Sequence, residues 1–175
     1  MIDTSRPALV TGDTGYVAGW LIKALLEAGV TVHACVRNPD NTAKQQHLIN
    51  VAAAAPGEIK FFKADLLDEG SFDAAMAGCG VVFHTDSPFT AAVKDPQRDL
   101  VDPAVKGTRN VLSAVNRTET VSRVVVTSSC KAIYGDNADV AKAPGGRLDE
   151  SVWNTSSTLA HNAYSFSKTE AEKAA

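Results

Sequence analysis

Thr11-Gly12-Asp13-Thr14-Gly15-Tyr16-Val17-Ala18-Gly19 follows the apolar run Ala8-Leu9-Val10. It opens a segment whose apolar residues, Val17, Leu21, Ala24, Leu25 and Ala28, recur at helical spacing. A glycine pattern carries weight when it leaves a strand and starts a helix, as here. Gly12 allows a tight turn, Gly15 lets a pyrophosphate come close to the backbone, and the small Ala18 lets the helix pack on the sheet. The helix start offers free N–H groups and a partial positive charge to phosphate. Thr11, Gly12, Gly15, Tyr16 and Val17 are therefore candidate cofactor-binding residues.

The rest of the chain repeats the alternation. Gly29 closes the first helix, and residues 30–36 form a second, β-branched strand. Asn38-Pro39-Asp40 breaks the chain, and Asp40 or Asn41 can cap the next helix, which ends in an alanine run before Pro56-Gly57. Residues 58–63 read as a third strand, 68–77 as a short helix stopped by Gly78, and 81–84 as a fourth strand. A long helix beginning near Arg98 reaches Asn116, and residues 121–127 form a fifth strand. Val124-Val125-Val126 is expected to be buried on both faces. A polar loop spans residues 135–162 before a last helix starts near Ala163. Strands joined by helical crossovers predict an α/β fold, a doubly wound parallel (Rossmann) sheet of order 3-2-1-4-5, with residues 1–175 as one domain.

With 17 Lys+Arg against 20 Asp+Glu in 175 residues the formal net charge is −3, which leaves no electrostatic footprint for nucleic acid or an anionic membrane. No apolar run approaches the ~20 residues of a membrane helix, and the first residues show no signal-peptide pattern. Cys35, Cys79 and Cys130 are too widely spaced for a disulfide framework or zinc site, so reduced thiols, a cytoplasmic location and no metal are expected.

Two further patterns specify chemistry. The second strand ends in Arg37, where an acidic residue commonly holds the ribose diol of NAD. Arg37 can instead clamp a 2′-phosphate, with Lys44 adding charge from the next helix, so NADP(H) is the expected cofactor. Downstream, Tyr164-Ser165-Phe166-Ser167-Lys168 puts Tyr164 and Lys168 on one helix face. Such a lysine can hold the nicotinamide ribose and promote proton donation by the tyrosine to a carbonyl being reduced. The fifth strand ends in Thr127-Ser128-Ser129, and a serine there can hydrogen-bond the substrate oxygen.

Taken together these motifs resemble the extended short-chain dehydrogenase/reductase superfamily, and most its dihydroflavonol-4-reductase-like aldehyde and ketone reductases. The resemblance covers essentially the whole chain. It includes Val36-Arg37-Asn38-Pro39, Ala64-Asp65-Leu66, Glu69-Gly70-Ser71-Phe72, Val82-Phe83-His84, Ser87-Pro88 and residues 102–108. It implies Asp65 and Leu66 beside the adenine, and Thr85 and Ser87 near the nicotinamide ribose, with Ser128 at the same edge. It also implies a catalytic set of Ser129, Tyr164 as acid and Lys168 as its partner. The implied reaction is NADPH-dependent reduction of a small-molecule ketone or aldehyde, by a monomer or homodimer. Two other readings remain: a sugar-nucleotide epimerase or dehydratase, and a non-catalytic NADP-binding module. The final helix reaches Ala175 with no C-cap, Gly or Pro, so the C-terminal substrate lobe of such enzymes is expected to be missing.

Three positions depart from the family pattern. Asp13 stands beside the expected pyrophosphate where a small neutral residue is usual, Asp86 replaces an alanine, and Lys131 follows Ser129 by two residues. An uncompensated carboxylate near phosphates would repel them.

Overall fold

The protein is described by a computed structural model over residues 4–87 and 92–175. Pro88 of the Ser87-Pro88 pair therefore lies outside the described residues. The chain divides into two compact units, one of residues up to Asp86 plus 110–127, the other of residues 87–109 plus 128–175.

The first unit holds a five-stranded parallel sheet of order β3-β2-β1-β4-β5, as the sequence predicts. The strands are β1 (Ala8–Thr11), β2 (Val32–Val36), β3 (Ile59–Lys63), β4 (Val81–His84) and β5 (Arg123–Val126). Between them run α1 (Tyr16–Glu27), α2 (Thr42–Ala53), the single turn α3 (Asp73–Met76) and α4 (Asp102–Asn116). β1 is buried throughout, and its side chains alternate between two cores. Ala8 and Val10 join Val32, Ala34, Ile22, Leu26 and Leu48 on one face. Leu9 joins Cys35, Val82, Met76, Cys79 and Val111 on the other. A strand covered on both faces has no need of polar alternation, which is why Ala8-Leu9-Val10 is continuously apolar.

Several sequence expectations need correction. The run Val124-Val125-Val126 is not buried on both faces: β5 is the edge of the described sheet, and Val125 is 41% exposed. The short helix predicted for 68–77 shrinks to Asp73–Met76, because Gly70 at φ +79° and the bonds Asp68 N–H to Asp65 O and Ser71 N–H to Asp68 O make turns first. Asn41 occupies the N-cap of α2, yet neither its side chain nor that of Asp40 caps the helix. Asn38 Oδ1 accepts from Asp40 N–H instead, and buried Gln45 donates to the Asn38 carbonyl at 3.1 Å. These bonds hold the turn that carries Arg37.

One side chain fastens the C-terminal ends of β1 and β4. Thr11 is buried, and its Oγ1 accepts from the backbone N–H groups of Thr85 (3.2 Å) and Asp86 (3.1 Å). The same oxygen lies 2.8 Å from His84 Nδ1. A hydroxyl has one proton to give, so with two acceptances made the Thr11 O–H donates to Nδ1, which fixes the proton on Nε2 of neutral His84. Thr85 Oγ1 completes the tie by donating to the Thr11 carbonyl at 2.5 Å.

In the second unit a π-helical turn, Gln97–Val101, leads into α4, and short 3-10 turns over Cys130–Ala132, Asn137–Lys142 and Pro144–Gly146 precede α5 (Ala163–Lys173). The polar loop predicted for 135–162 is thus ordered by side chains. Buried Asn154 donates through Nδ2 to the Lys131 carbonyl (2.8 Å) and Ser157 Oγ (2.9 Å), and its Oδ1 accepts from the Ser156 and Ser157 N–H groups. Asp139 accepts from Ser156 Oγ and from the N–H groups of Asp136 and Gly135, which holds its carboxyl down at about 2. Asp136 in turn binds His161 (2.7 Å) and Asn162 Nδ2 (2.9 Å) at the entry to α5.

Thr11→Val keeps the shape and removes the hydroxyl, leaving buried partners unmet; it should cost about 2–4 kcal/mol by urea unfolding, whereas Thr11→Ser should cost about 1 kcal/mol. Asn154→Ala should cost about 1–3 kcal/mol and increase hydrogen exchange in residues 154–162, since several bonds of that loop converge on one amide.

Candidate functional site

The turn after β1 combines a tight glycine bend with an uncapped helix start, a geometry that suits an anion. Gly12 adopts φ +71°, and a Cβ there would meet the Asp86 backbone at 3.0 Å. Gly15 closes the turn with its N–H on the Gly12 carbonyl at 2.8 Å and serves as the N-cap of α1. Having no side chain, Gly15 caps nothing, and the first turn of α1 contains no acidic residue. The N–H groups that a helix leaves unpaired at its start are therefore left to a ligand. Tyr16 and Val17 are exposed on that first turn, and Ala18 packs inward as predicted. Thr11 is buried beneath the turn, so its role is to shape it through the bonds described above.

Asp13 lies inside this turn with only 2% of its surface exposed. Its Oδ2 is buried and meets no hydrogen-bond partner among the described residues. Burial, opposed by the Thr14 N–H and reinforced by the Asp86 charge, pushes its carboxyl up to about 7. Burial also raises the thiol of Cys35, and Asp13 adds to that effect. Burial pushes Cys79 up to about 12, so both core thiols are protonated and unreactive at neutral pH.

Beyond the ends of β2 and β3 lies a cavity of about 610 Å³ whose walls include Arg37, Lys63, Asp65, Leu67 and Ser71. Asp65 is fixed by Ser71, whose Oγ accepts from the Asp65 N–H and donates to its carbonyl, while Asp65 Oδ1 accepts from Leu67 N–H at 2.9 Å. The wall residue is Leu67; Leu66 packs against the core, and its carbonyl accepts from Asn110 at 2.7 Å. Lys44 is exposed on the first turn of α2 and is not among the residues lining this cavity. Lys63 was not singled out in the sequence. The signal was there, since Lys63 is the register partner of Val36 and so neighbours Arg37 once strand order 3-2-1 is assumed.

In the second unit Tyr164 and Lys168 share a face of α5, with Lys168 Nζ 5.3 Å from the centre of the tyrosine ring. The Lys168 ammonium also donates to Ser87 Oγ. Ser129 is the N-cap of the turn Cys130–Ala132, and its Oγ accepts from Lys131 N–H at 3.2 Å. Its O–H proton is left to donate. Ser128 is directed elsewhere, donating to the Glu172 carboxylate on α5. Lys131 sets its ammonium 4.2 Å from the centre of the Tyr134 ring. Sequence reasoning missed Asn162, which enters α5 in the left-handed region at φ 56° and, with Asp136, fixes the start of the helix that carries Tyr164. An Asn before a helix was its only mark.

No helix among the described residues is long and apolar enough to cross a membrane. Residues 8–175 match the model of the NAD dependent epimerase/dehydratase family. A putative anthocyanidin reductase of Ginkgo biloba is 44% identical over 171 residues, covering 95% of this chain and 49% of that protein. The dihydroflavonol 4-reductase of Gerbera hybrida is 36% identical over 178 residues, covering 99% of this chain and 47% of the relative. Among solved structures, Gre2 of Candida albicans in complex with NADPH superposes with a TM-score of 0.79 at 32% identity, covering 97% of this chain and 51% of the other. The chain spans about half the length of the relatives it matches. The glycine turn, the sheet order and the Tyr164/Lys168 helix thus coincide with a match over nearly every residue, and the chain belongs to the NAD dependent epimerase/dehydratase family.

Proposed function

We propose that residues 1–175 form the NADP(H)-binding and catalytic part of a reductase acting on a ketone or aldehyde, as monomer or homodimer, in the cytoplasmic setting that fits three widely spaced cysteines. The observation that carries the catalytic reading is the Tyr164–Lys168 pair on α5, with Lys168 anchored on Ser87. The reductase relatives and the NADPH complex of Gre2 support it.

The residues present fit a dinucleotide. Gly12 leaves room a side chain would fill, the start of α1 leaves its N–H groups unpaired, and two cations, Arg37 and Lys63, stand at one cavity. In this reading Thr11, Gly12, Gly15, Tyr16 and Val17 form the pyrophosphate turn, Asp65 lies at the adenine with Leu67 in the wall place expected of Leu66, and Arg37 holds the 2′-phosphate with Lys63 in place of Lys44. Thr85, Ser87, Tyr164 and Lys168 serve the nicotinamide ribose, while Ser128, turned to Glu172, does not. NADPH, when bound, supplies the hydride. Ser129 donates a hydrogen bond that orients the substrate oxygen. The Tyr164 hydroxyl donates its proton to that oxygen, completing the alcohol, and the positive charge of Lys168 stabilises the phenolate left behind. Arg37 favours this reading over the NAD-type epimerases, because its guanidinium suits a phosphate and an acidic residue suits a ribose diol.

Arg37→Ala should lower the affinity ratio of NADPH over NADH by about 10- to 100-fold, the worth of a charged hydrogen-bonded pair, as read by nicotinamide fluorescence; an unchanged ratio would refute the assignment. Lys63→Ala should lower the same ratio by a smaller factor. Tyr164→Phe should reduce carbonyl turnover at least ~100-fold across a panel of aldehydes and ketones while weakening NADPH binding by no more than about tenfold, the worth of one hydrogen bond to the ribose.

A further inference from the structure

We propose that Asp13 makes nucleotide binding proton-linked: the turn accepts the dinucleotide pyrophosphate with Asp13 in its neutral acid form, and takes up a proton when that residue is ionised beforehand. This rests on the nucleotide reading of the glycine turn and adds a residue to it.

The geometry gives a charged Asp13 little support. It sits between Gly12 and Gly15 in the turn that faces the uncapped start of α1, and it is almost wholly buried. From β1 it is neighboured by Thr11, whose hydroxyl is already committed to His84, Thr85 and Asp86. From β2 comes the Cys35 thiol, a group that shares its field and carries no positive charge. The last residue of β4, His84, lies against the Thr11 hydroxyl, and the segment after β4 brings the carboxyl of Asp86, whose backbone packs on Gly12. The first turn of α1 adds no side-chain charge. Among the described residues the N–H groups of Thr14 and of Asp13 itself favour the carboxylate, and they do not outweigh burial, which pushes the carboxyl up to about 7.

Two consequences follow when an anion enters. A pyrophosphate brings negative charge to a site that already holds Asp86, so an ionised Asp13 would be repelled in a poorly screened environment. A neutral Asp13 removes that repulsion, and it spares the buried Oδ2, which meets no partner among the described residues, from carrying charge. Binding and protonation therefore favour each other, as linkage requires. With the neutral form alone competent and a titration near 7, the competent fraction falls about twentyfold between pH 6.5 and 8.5.

The test is a calorimetric titration of NADPH, and of NADH as a ligand without a 2′-phosphate, into the 175-residue chain and into Asp13→Asn and Asp13→Gly, from pH 6.5 to 8.5 in buffers of different ionisation enthalpy. The original chain should lose about twentyfold in affinity for both nucleotides over that range and take up close to one proton per nucleotide at pH 8. Asp13→Asn, which keeps the shape and cannot ionise, should vary less than about threefold and take up no proton through this site. Binding by the original chain with the same pH profile and proton count as Asp13→Asn overturns the proton linkage and leaves the nucleotide reading standing. Failure of all three chains to bind either nucleotide at every pH overturns both.

Discussion

The hydroxyl of Thr11 is the fastening on which the glycine turn and the ends of β1 and β4 depend. It stands at the last residue of β1, where the chain must leave the sheet for the glycine turn, and it receives the first backbone N–H groups beyond β4. Parallel strands leave such groups unpaired where the ladder ends, and a buried unpaired group is expensive. One threonine meets two of them and fixes the tautomer of His84 in the same arrangement. The close approach of Asp86 to Gly12, and hence the width of the turn, follows from that tie.

The electrostatics of the turn set two tendencies against each other. The start of α1, without a capping side chain or acidic residue, favours an anion. Asp13 and Asp86 bring two carboxyls to the same place, and burial resolves the conflict by favouring the neutral acid at Asp13. Beyond the ends of β2 and β3, Arg37 and Lys63 concentrate positive charge beside a cavity, near the Gln45–Asn38 bond on one side and the Ser71–Asp65 bond on the other. These supporting residues make no chemical signature of their own.

In the second unit the same division of labour recurs. Tyr164 and Lys168 are placed by the helix repeat, but where that helix begins is decided by Asp136 and Asn162, and the turn that follows Ser129 is steadied by Asn154 through the Lys131 carbonyl. A polar stretch with no periodicity, 135–162, becomes ordered because its carboxylates and amides bond to one another and to backbone.

What the sequence alone determined is what local periodicity encodes. The strand order, the glycine turn, the face shared by Tyr164 and Lys168, and Arg37 at the end of β2 were all legible, because each depends on spacing within a few residues or on crossover rules that prune topology. The tertiary structure alone decided the matters that rest on neighbours distant in sequence. Val125 is half open because β5 lies at the sheet edge, which composition does not reveal. Lys63 reaches the cavity of Arg37 through strand register, and Leu67 takes the wall position expected of Leu66. Asp13 reads in the sequence as a charge out of place, and its burial beside Asp86 and Cys35 is what raises its carboxyl, since desolvation is a property of surroundings that a linear spacing does not carry.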